Sequence, residues 1–592
     1  LLCTAVWACG APASEPQALE SIVTIGVPEA NVVTAQRGAR ELVTSFTSEG
    51  LVQLGADGRV AAKVAERWQW ENDGLTLRVF LRPKVKLHDG RALTAELVAS
   101  LLKDAIAKPG NRESFTSFDD IREIHADGDL QVMIDLSRPS ALALEDLDVQ
   151  LSMPPMVADH WQSENDGLRL RVFLRPNLAA LDGRPLTGPL VAELLKDAVA
   201  KPATRRRFAS LEGVREIRAD GDLQILVDLS RPSDDVGSDI ARQLSALSPS
   251  LGTGPYRLVK DDGQEMVLER FEDYYLGSAR IKKVVVRPVE TLRTAWSNLL
   301  RGTVDMVTDV PADALEFISN TNIQIVSYPR RYQYLIAFNS KRPPFNSRAV
   351  RQALNAAIDR NAIVTSVLRG HGEVSTGPFW PQHWAYDAAV PAFRFDRATA
   401  TSLLDTTGHR TGSANTDTGW PAARLRFTCL LPSNFAILER LALEVQRQLY
   451  EVGVDVNFES LPFATYNARV AAGDFDAALI DMISGPTLAR PFIFWRSAET
   501  FKGFNIFGYE NPESERLFQI LRTTTNEAAI RSTARQLQHV FVEDPPAIFL
   551  AWNERTRGIT RNLQVYQEPG RDPLLTLWRW NTVPNVQAAS VQ

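Results

Sequence analysis

Side chains that could do covalent or metal chemistry are sparse in this chain and poorly spaced for it. The seven histidines stand at 88, 125, 160, 371, 383, 409 and 539, and no two are four apart, so no helical turn offers the paired imidazoles of a catalytic zinc site. The three cysteines are Cys3, Cys9 and Cys429, which leaves no C-x-x-C and no disulfide framework for the body. Cys429 sits in the apolar segment Phe427 to Leu431, the setting of an inert buried thiol. There is no G-x-S-x-G to present a serine, no H-E-x-x-H, and no G-x-x-x-x-G-K-[ST] to cradle phosphate. A site assembled from distant segments, such as His371 with His383, stays open, and with it a secreted hydrolase of scattered residues. These spacings lead to the expectation of no enzyme, no cofactor and no metal.

What the chain does offer is material to position a cleft. Its 592 residues, 44% hydrophobic and 23% charged, predict several domains or two large lobes with ample cores. The 65 basic against 71 acidic residues give a net charge of -6, no field for nucleic acid or an anionic membrane. No apolar run in the body reaches the roughly 18 residues of a membrane span. Leu1 to Cys9 reads as the tail of an apolar signal segment, and Val6-Trp7-Ala8-Cys9-Gly10 is similar to a bacterial lipobox, which makes Cys9 a lipidation site. Trp7 fits that pattern poorly, and cleavage after Ala11-Pro12-Ala13 is the competing reading. Both imply export, to the periplasm or the outer face of the cytoplasmic membrane.

The chain also repeats itself. Trp68 to Ser140 aligns without a gap on Trp161 to Ser233, with 48 identities in 73 positions, enough to predict one small α/β unit built twice. Each copy opens on a strand with Leu75, Leu77, Val79 and Leu81 on one face, turns at Asp89-Gly90, continues into a helix carrying Leu97, Leu101, Leu102 and Ala105, and ends in a hairpin around Ala126 to Asp129. The second copy has drifted at the turn and helix start, where His88 becomes Leu181, Lys86 becomes Ala179 and Ala95-Glu96 becomes Gly188-Pro189. From about residue 250 strands and helices alternate: a hairpin about Asp261-Asp262-Gly263, buried strands at Ile281 to Val286 and Tyr334 to Phe338, and helices at Thr291 to Leu300, Arg348 to Ile358 and Leu438 to Tyr450. The segment from His409 to Thr418 reads as a polar loop.

Several stretches, in order, resemble the bacterial extracytoplasmic solute-binding proteins of family five, the oligopeptide, dipeptide and nickel-binding receptors of ABC importers. They run from Glu49-Gly50-Leu51 through Ala65-Glu66-Arg67-Trp68, Leu81-Arg82-Pro83, Leu87-His88-Asp89-Gly90 and Leu93-Thr94-Ala95-Glu96 to Gly252-Thr253-Gly254-Pro255-Tyr256. Ala337-Phe338-Asn339, Ile358-Asp359-Arg360, Gly473-Asp474-Phe475-Asp476 and Glu543-Asp544-Pro545-Pro546 continue the series. The resemblance implies an α/β, two-lobed periplasmic-binding-protein fold (type II, cluster C-like), with ligand enclosed between lobes joined by crossing strands and an extra α/β domain, here tandemly duplicated. The divisions expected are a leader at 1–19, lobe I at 20–50, 241–290 and 536–580, the third domain at 51–154, its second copy at 155–240, lobe II at 291–535 and a tail at 581–592.

By the same resemblance, ligand-binding positions map to Glu49, Leu51, Thr253, Phe463, Asp481 and Ile483. Peptide receptors of the family place an acid late in the strand that here reads Asp481-Met482-Ile483-Ser484-Gly485-Pro486, to pair with a ligand ammonium. No acid stands at that point, which disfavours free peptides unless Asp481 substitutes. Arg490 and Trp495 lie just beyond, and Trp380 and Trp384 cluster after Gly370-His371-Gly372, as further candidates. The expectation is a monomeric receptor, lipid-anchored at Cys9, that takes a small or medium organic solute, peptide-like or other, to membrane permease subunits and binds no nucleic acid. A sensor or chaperone on the same fold, serving no importer, is the alternative within binding proteins.

Overall fold

The computed structural model describes residues 21–28, 38–88, 90–107, 117–140, 142–146, 157–176, 178, 180, 184–233, 235–245, 252–262, 264–310, 314–315, 321–410, 423–485, 487–497 and 505–583. Cys9, Asp89, Ala179, Leu181, residues 411–422 and residues 584–592 lie outside them.

Two long antiparallel strands organise the molecule. Ile323–Phe338 has 16 residues and Ala547–Thr560 has 14, and at about 3.3 Å per residue the longer extends roughly 50 Å, enough to pass from one lobe into another. At one end Ile323 pairs with Thr560, at the other Ala337 pairs with Ala547. Near the first end Met306–Val307 joins Ala547–Thr560 to Ile22–Pro28, which runs parallel to Lys283–Val289 and is extended by the hairpin Tyr256–Asp261 and Met266–Arg270. Near the second, Ile323–Phe338 pairs with Ala477–Ile483, followed by Leu425–Pro432 and Val454–Leu461 in parallel. One mixed sheet therefore threads both lobes.

In lobe II the sheet is buried on both faces, and the apolar run Tyr334 to Phe338 is the local cause. Tyr334, Ile336 and Phe338 face a core covered by the helices Arg348–Ala356, Arg397–Thr406 and Ala436–Tyr450. Leu335 and Ala337 face another, covered by Phe463–Ala471, Pro512–Thr523 and Glu527–Glu543. The lobe change lies within the crossing strands, not at 291 and 535. Helix Leu292–Leu300 packs Ala295 and Leu299 against Val304, Val307 and Val310 on the first-lobe side, while Glu527–Glu543 buries Ile530, Leu537 and Phe541 in lobe II.

The repeat folds as two units with one topology. Strands Ala65–Glu71, Thr76–Leu81, Gln131–Leu136 and Ile121–Ala126 form an antiparallel sheet in that order, and Ala158–Glu164, Arg169–Leu174, Gln224–Leu229 and Val214–Ala219 form the second in the equivalent order. Register agrees position for position: Trp68 opposes Val79 as Trp161 opposes Val172, and Glu123 opposes Asp135 as Glu216 opposes Asp228. The strand of unit one starts at Thr76, so Leu75 lies exposed at the turn, and Leu77, Val79 and Leu81 carry the buried face. Its helix, Ala95–Ala107, buries Ala95, Val98, Ala99, Leu102 and Ile106, a stripe rotated from the expected one toward smaller residues that let helix and sheet approach.

The units differ in how they attach. In unit one the His88 backbone N–H donates to Gly252 O at 2.9 Å, and the His88 ring lies 2.9 Å from Gly254 O through Nε2. Lys86 Nζ meets Asp273 at 2.9 Å, and Asp120 meets Arg522 of lobe II at 3.3 Å. The second copy has Leu181, Ala179 and Gly213 at the positions of His88, Lys86 and Asp120, so it lacks the imidazole, ammonium and carboxylate that make the side-chain ties. Among the described residues its apolar core is drawn from Val157 to Leu244. Helix Gly188–Ala200 carries Pro189 in its first turn, where no intrahelical N–H is lost.

Candidate ligand-binding cleft

The crossing strands carry an irregularity at the boundary between lobes. Pairing runs in step from Ile323 with Thr560 to Pro329 with Glu554 and resumes only at Gln333 with Trp552, so Arg330, Arg331 and Tyr332 bulge from the ladder. A bulge redirects side chains that a regular strand would alternate between faces. Here it places two guanidinium groups beside a cavity of about 340 Å³. Lobe I contributes Val27, Glu41, Leu42 and Ser45, the loop before the first repeat unit gives Gly55 and Ala56, and the crossing strands give Tyr328 to Tyr332 with Arg555 and Arg557. Trp380 and the segment Gly570 to Leu575 complete the wall. A second cavity, about 190 Å³, shares Ser45, Arg331, Arg571, Leu574 and Leu575 with it and is lined further by Glu49, Gln53 and Lys63.

Among the described residues, five arginines and two carboxylates, Glu41 and Asp572, thus line the larger cavity. Arg557 is held most firmly: Nε meets Asp572 at 2.8 Å, Nη1 donates to Thr308 O at 3.1 Å and Nη2 to the Tyr328 hydroxyl at 2.8 Å. Burial pushes the Tyr328 phenol up to about 12, so it stays neutral. Arg330 Nη1 meets Asp481 at 2.7 Å with its guanidinium 3.9 Å over the Tyr332 ring, and Arg555 lies 3.6 Å from Asp309. Arg571 reaches Glu568 at 2.5 Å and Gln53 at 3.1 Å, while its buried Nε has no hydrogen-bond partner among the described residues. A guanidinium has five N–H donors and a carboxylate engages about two, so the pairing of Arg330, Arg555 and Arg571 orients them without using every donor, whereas Arg557 already spends four on Asp572, Thr308 and Tyr328.

The residues expected from sequence divide among several environments. Glu49 and Thr253, 204 positions apart, do meet: Thr253 Oγ1 donates to Glu49 Oε2 at 3.3 Å, and Glu49 Oε1 accepts from Tyr274 at 2.8 Å and faces Lys63 Nζ at 2.9 Å. Glu49 is thereby a buried, satisfied carboxylate on the wall of the smaller cavity. Trp380 lines the larger one, donating Nε1–H to Ala56 O at 2.9 Å and packing edge-on to Trp552. Asp481 stands one layer back, occupied by Arg330 and by Asn553 at 3.1 Å. Ile483 pairs with Tyr332 of the bulge, and Trp384 lies under the guanidinium groups of Arg59 at 4.7 Å and Arg531 at 5.0 Å.

Three candidates pack instead. Leu51 is fully buried in the core of unit one, Phe463 packs beside Tyr466, and Trp495 stacks on Phe507 inside lobe II among Tyr509, Phe541 and Phe549. The Arg490 side chain lies outside the described residues. Sequence reasoning passed over Arg330, Arg331, Arg555, Arg557 and Arg571. The available signal was two arginine pairs, Arg330-Arg331 and Arg555 with Arg557, each next to a run of apolar strand residues, Tyr334 to Phe338 and Ala547 to Trp552. Cys429 is buried, and burial pushes its thiol up, away from the reactive thiolate.

Two lobes on one shared sheet, crossed twice by the chain with a polar cavity at the crossing, define a solute-binding protein of the periplasmic type. The sequence profile of the bacterial extracellular solute-binding proteins, family 5 (middle region), matches residues 59–155 and 152–503, and the chain belongs to that family. It is a substrate-binding receptor of the ABC-importer class, whose members act outside the cytoplasm as binding proteins. Among characterised relatives, the oligopeptide-binding protein AppA of Bacillus subtilis is 24% identical over 463 residues, 74% of this chain and 84% of its own. The glutathione-binding protein GsiB of Pectobacterium atrosepticum is 24% identical over 488 residues, 78% and 91% of the two chains. Among solved structures, NikA of Brucella suis in complex with Fe(III)-EDTA superposes with a TM-score of 0.70 at 18% identity, covering 95% of this chain and 99% of that one. AppA of Bacillus subtilis in complex with a nonapeptide gives 0.64 at 20%, covering 95% and 99%. Among the described residues no helix is long and apolar enough to cross a membrane.

Proposed function

We propose that the cleft takes a compact organic solute bearing at least one anionic group, a carboxylate or its equivalent, which the cleft arginines receive as the lobes close. The observation that carries this is the wall of the larger cavity, where, among the described residues, five guanidinium groups stand against two carboxylates. Planar, fixed guanidinium groups suit bidentate capture of a carboxylate, and their present partners hold them in place before ligand arrives. At about 340 Å³ the cavity lies at the small end of ligand sites. Asp481 is committed to Arg330 and Asn553, which speaks against its service as an ammonium anchor for free peptides. Apolar cover comes from Val27, Leu42, Trp380 and Leu574. The bound form is delivered to a permease, and the protein works as a monomer held at the membrane through lipid on Cys9.

A thermal-shift panel tests the ligand class. Compact mono- and dicarboxylates, their amides and amine isosteres, and free dipeptides are compared on the wild type, Arg331→Ala and Arg571→Ala. The expected result is stabilisation by a carboxylate, lost in its amide and weakened at least tenfold in one of the variants, close to 1.4 kcal/mol. Tight binding of a cationic or uncharged compound, unaltered in both variants, overturns the reading. Palmitate labelling that disappears in Cys9→Ser tests the anchor.

A further inference from the structure

We propose that the first repeat unit carries a divalent-cation site of the zinc class, formed by Glu123, His125 and Asp135 and absent from its duplicate. The three residues lie on the edge strand Ile121–Ala126 and its neighbour Gln131–Leu136, with Glu123 directly opposite Asp135 and His125 opposite Met133. One ligand atom from each falls within 4.8 Å of the others. His125 Nδ1 is 4.0 Å from Asp135 Oδ2, too far for a hydrogen bond, and this buried nitrogen has no hydrogen-bond partner among the described residues. The other carboxylate oxygen of Asp135 accepts from Thr76 Oγ1 at 2.8 Å, and Thr76 is itself fixed by Asn72 Nδ2 at 3.1 Å. Such supporting bonds orient a metal-binding carboxylate. Ligands about 2.0–2.1 Å from a shared zinc sit roughly 3.4 Å apart, so closing the site asks for movements of about 1 Å or less in side chains at a partly exposed sheet surface.

The duplicate supplies an internal control. At identical register the second unit keeps both carboxylates, as Glu216 and Asp228, but has Arg169 at the position of Thr76 and Arg218 at the position of His125. Arg169 Nε donates to Asp228 at 2.6 Å, and this bond, with the charges of Arg169 and Arg218, holds the Asp228 carboxyl below its usual range. Unit two thus neutralises its carboxylate pair with Arg169, which is bonded to Asp228, and with the charge of Arg218 nearby. Unit one places an uncharged hydroxyl and an imidazole there, and its nearby Arg78 is engaged by Glu71 at 2.8 Å and Asp127 at 2.6 Å. The difference is two positive charges when the imidazole is neutral, the charge of one divalent ion. One imidazole nitrogen with two carboxylates favours Zn²⁺, Co²⁺ or Ni²⁺ over Mg²⁺ or Ca²⁺, with water completing the shell. Bound there, the ion would clasp the edge strand to its neighbour, on the sheet face opposite helix Ala95–Ala107.

The test uses the full chain freed of metal by chelator dialysis, titrated with ZnCl₂ by calorimetry and with CoCl₂ by visible absorption. The expected result is one saturable ion per chain, with binding lost in His125→Arg, which reproduces the second unit, and retained in His371→Ala. The exchange in the other direction, Arg169→Thr with Arg218→His, should raise the stoichiometry from one to two. Thermal melts identify variants that fold. Absence of saturable binding by the wild type, or binding unchanged in a folded His125→Arg protein, overturns the proposal, as does a folded double variant of unit two that still binds a single ion.

Discussion

Leu102 and Leu195 occupy the same position in the two repeat units, each fully buried on the helix that covers its sheet. Truncation to alanine removes the same atoms from closely similar surroundings and should cost about 2.7–5 kcal/mol in either unit. For a unit of roughly 90 residues each kcal/mol moves the melting temperature by about 4–8 °C, so even 3 kcal/mol lowers it by roughly 12–24 °C. The consequences should differ because the attachments differ. Unit one is tied to lobe I through His88 and Lys86 and to lobe II through Asp120, whereas the core of unit two is its own. Scanning calorimetry of Leu195→Ala should show one transition displaced and the remainder within about 2 °C of the wild type. Leu102→Ala should lower the main transition, because loss of unit one also loses its contacts with both lobes. Should Leu195→Ala drag every transition down together, or the two variants give superimposable scans, the independence argued for the second unit is wrong.

Three further outcomes follow from buried polar groups and close backbone. Burial pushes the Glu145 carboxyl, hydrogen-bonded to Thr487 across the junction with lobe II and beside Asp146, up to about 8. Its folded value lies above the unfolded one, so the stability it gives is complete in acid and is lost as pH rises through about 8. The melting temperature should therefore fall more between pH 6 and pH 9 in the wild type than in Glu145→Gln. Arg557→Met leaves Asp572 only the Leu574 N–H among the described residues and removes the donors to Thr308 and Tyr328, and should cost about 3 kcal/mol in urea unfolding, against less than about 1 for Arg516→Ala at the exposed pair with Glu513. Gly254→Ala would put a Cβ 2.4 Å from Phe46 O and 2.7 Å from the Thr47 carbonyl carbon, backbone that cannot yield cheaply. That variant should melt well below the wild type and expose the His88 junction to proteolysis.

Most individual elements were legible from sequence because their causes are local. Alternation at Leu77, Val79 and Leu81 fixes a strand whichever protein surrounds it, and the 93-residue offset carried the register of one unit onto the other. The buried helix stripe of unit one was legible only in part: leucines drew attention to Leu97 and Leu101, while the sheet selected Ala95, Val98 and Ala99 beside Leu102. Small residues give weak hydrophobic signals yet permit the closest packing. The fates of Leu51 and Trp495 show the same limit, since a large apolar side chain fits a cleft wall and a core equally well until its neighbours are known.

Sequence by itself determined the α/β class, the duplicated unit, the poverty of catalytic motifs and the family resemblance, all of which rest on composition, short-range period or ordered motifs. Tertiary structure alone decided the cleft. Arg330 and Arg331 lie more than 220 positions from Arg555, Arg557 and Arg571, and become neighbours only because two strands pair antiparallel across both lobes and one of them bulges at the crossing. It also decided which copy of the repeat docks. His88, Lys86 and Asp120 read as ordinary surface polar residues until Gly252, Gly254, Asp273 and Arg522 arrive from elsewhere in the chain. Period and propensity act over a turn or two, whereas the charges that face one another across a cleft are set by long-range pairing, which leaves no periodic trace.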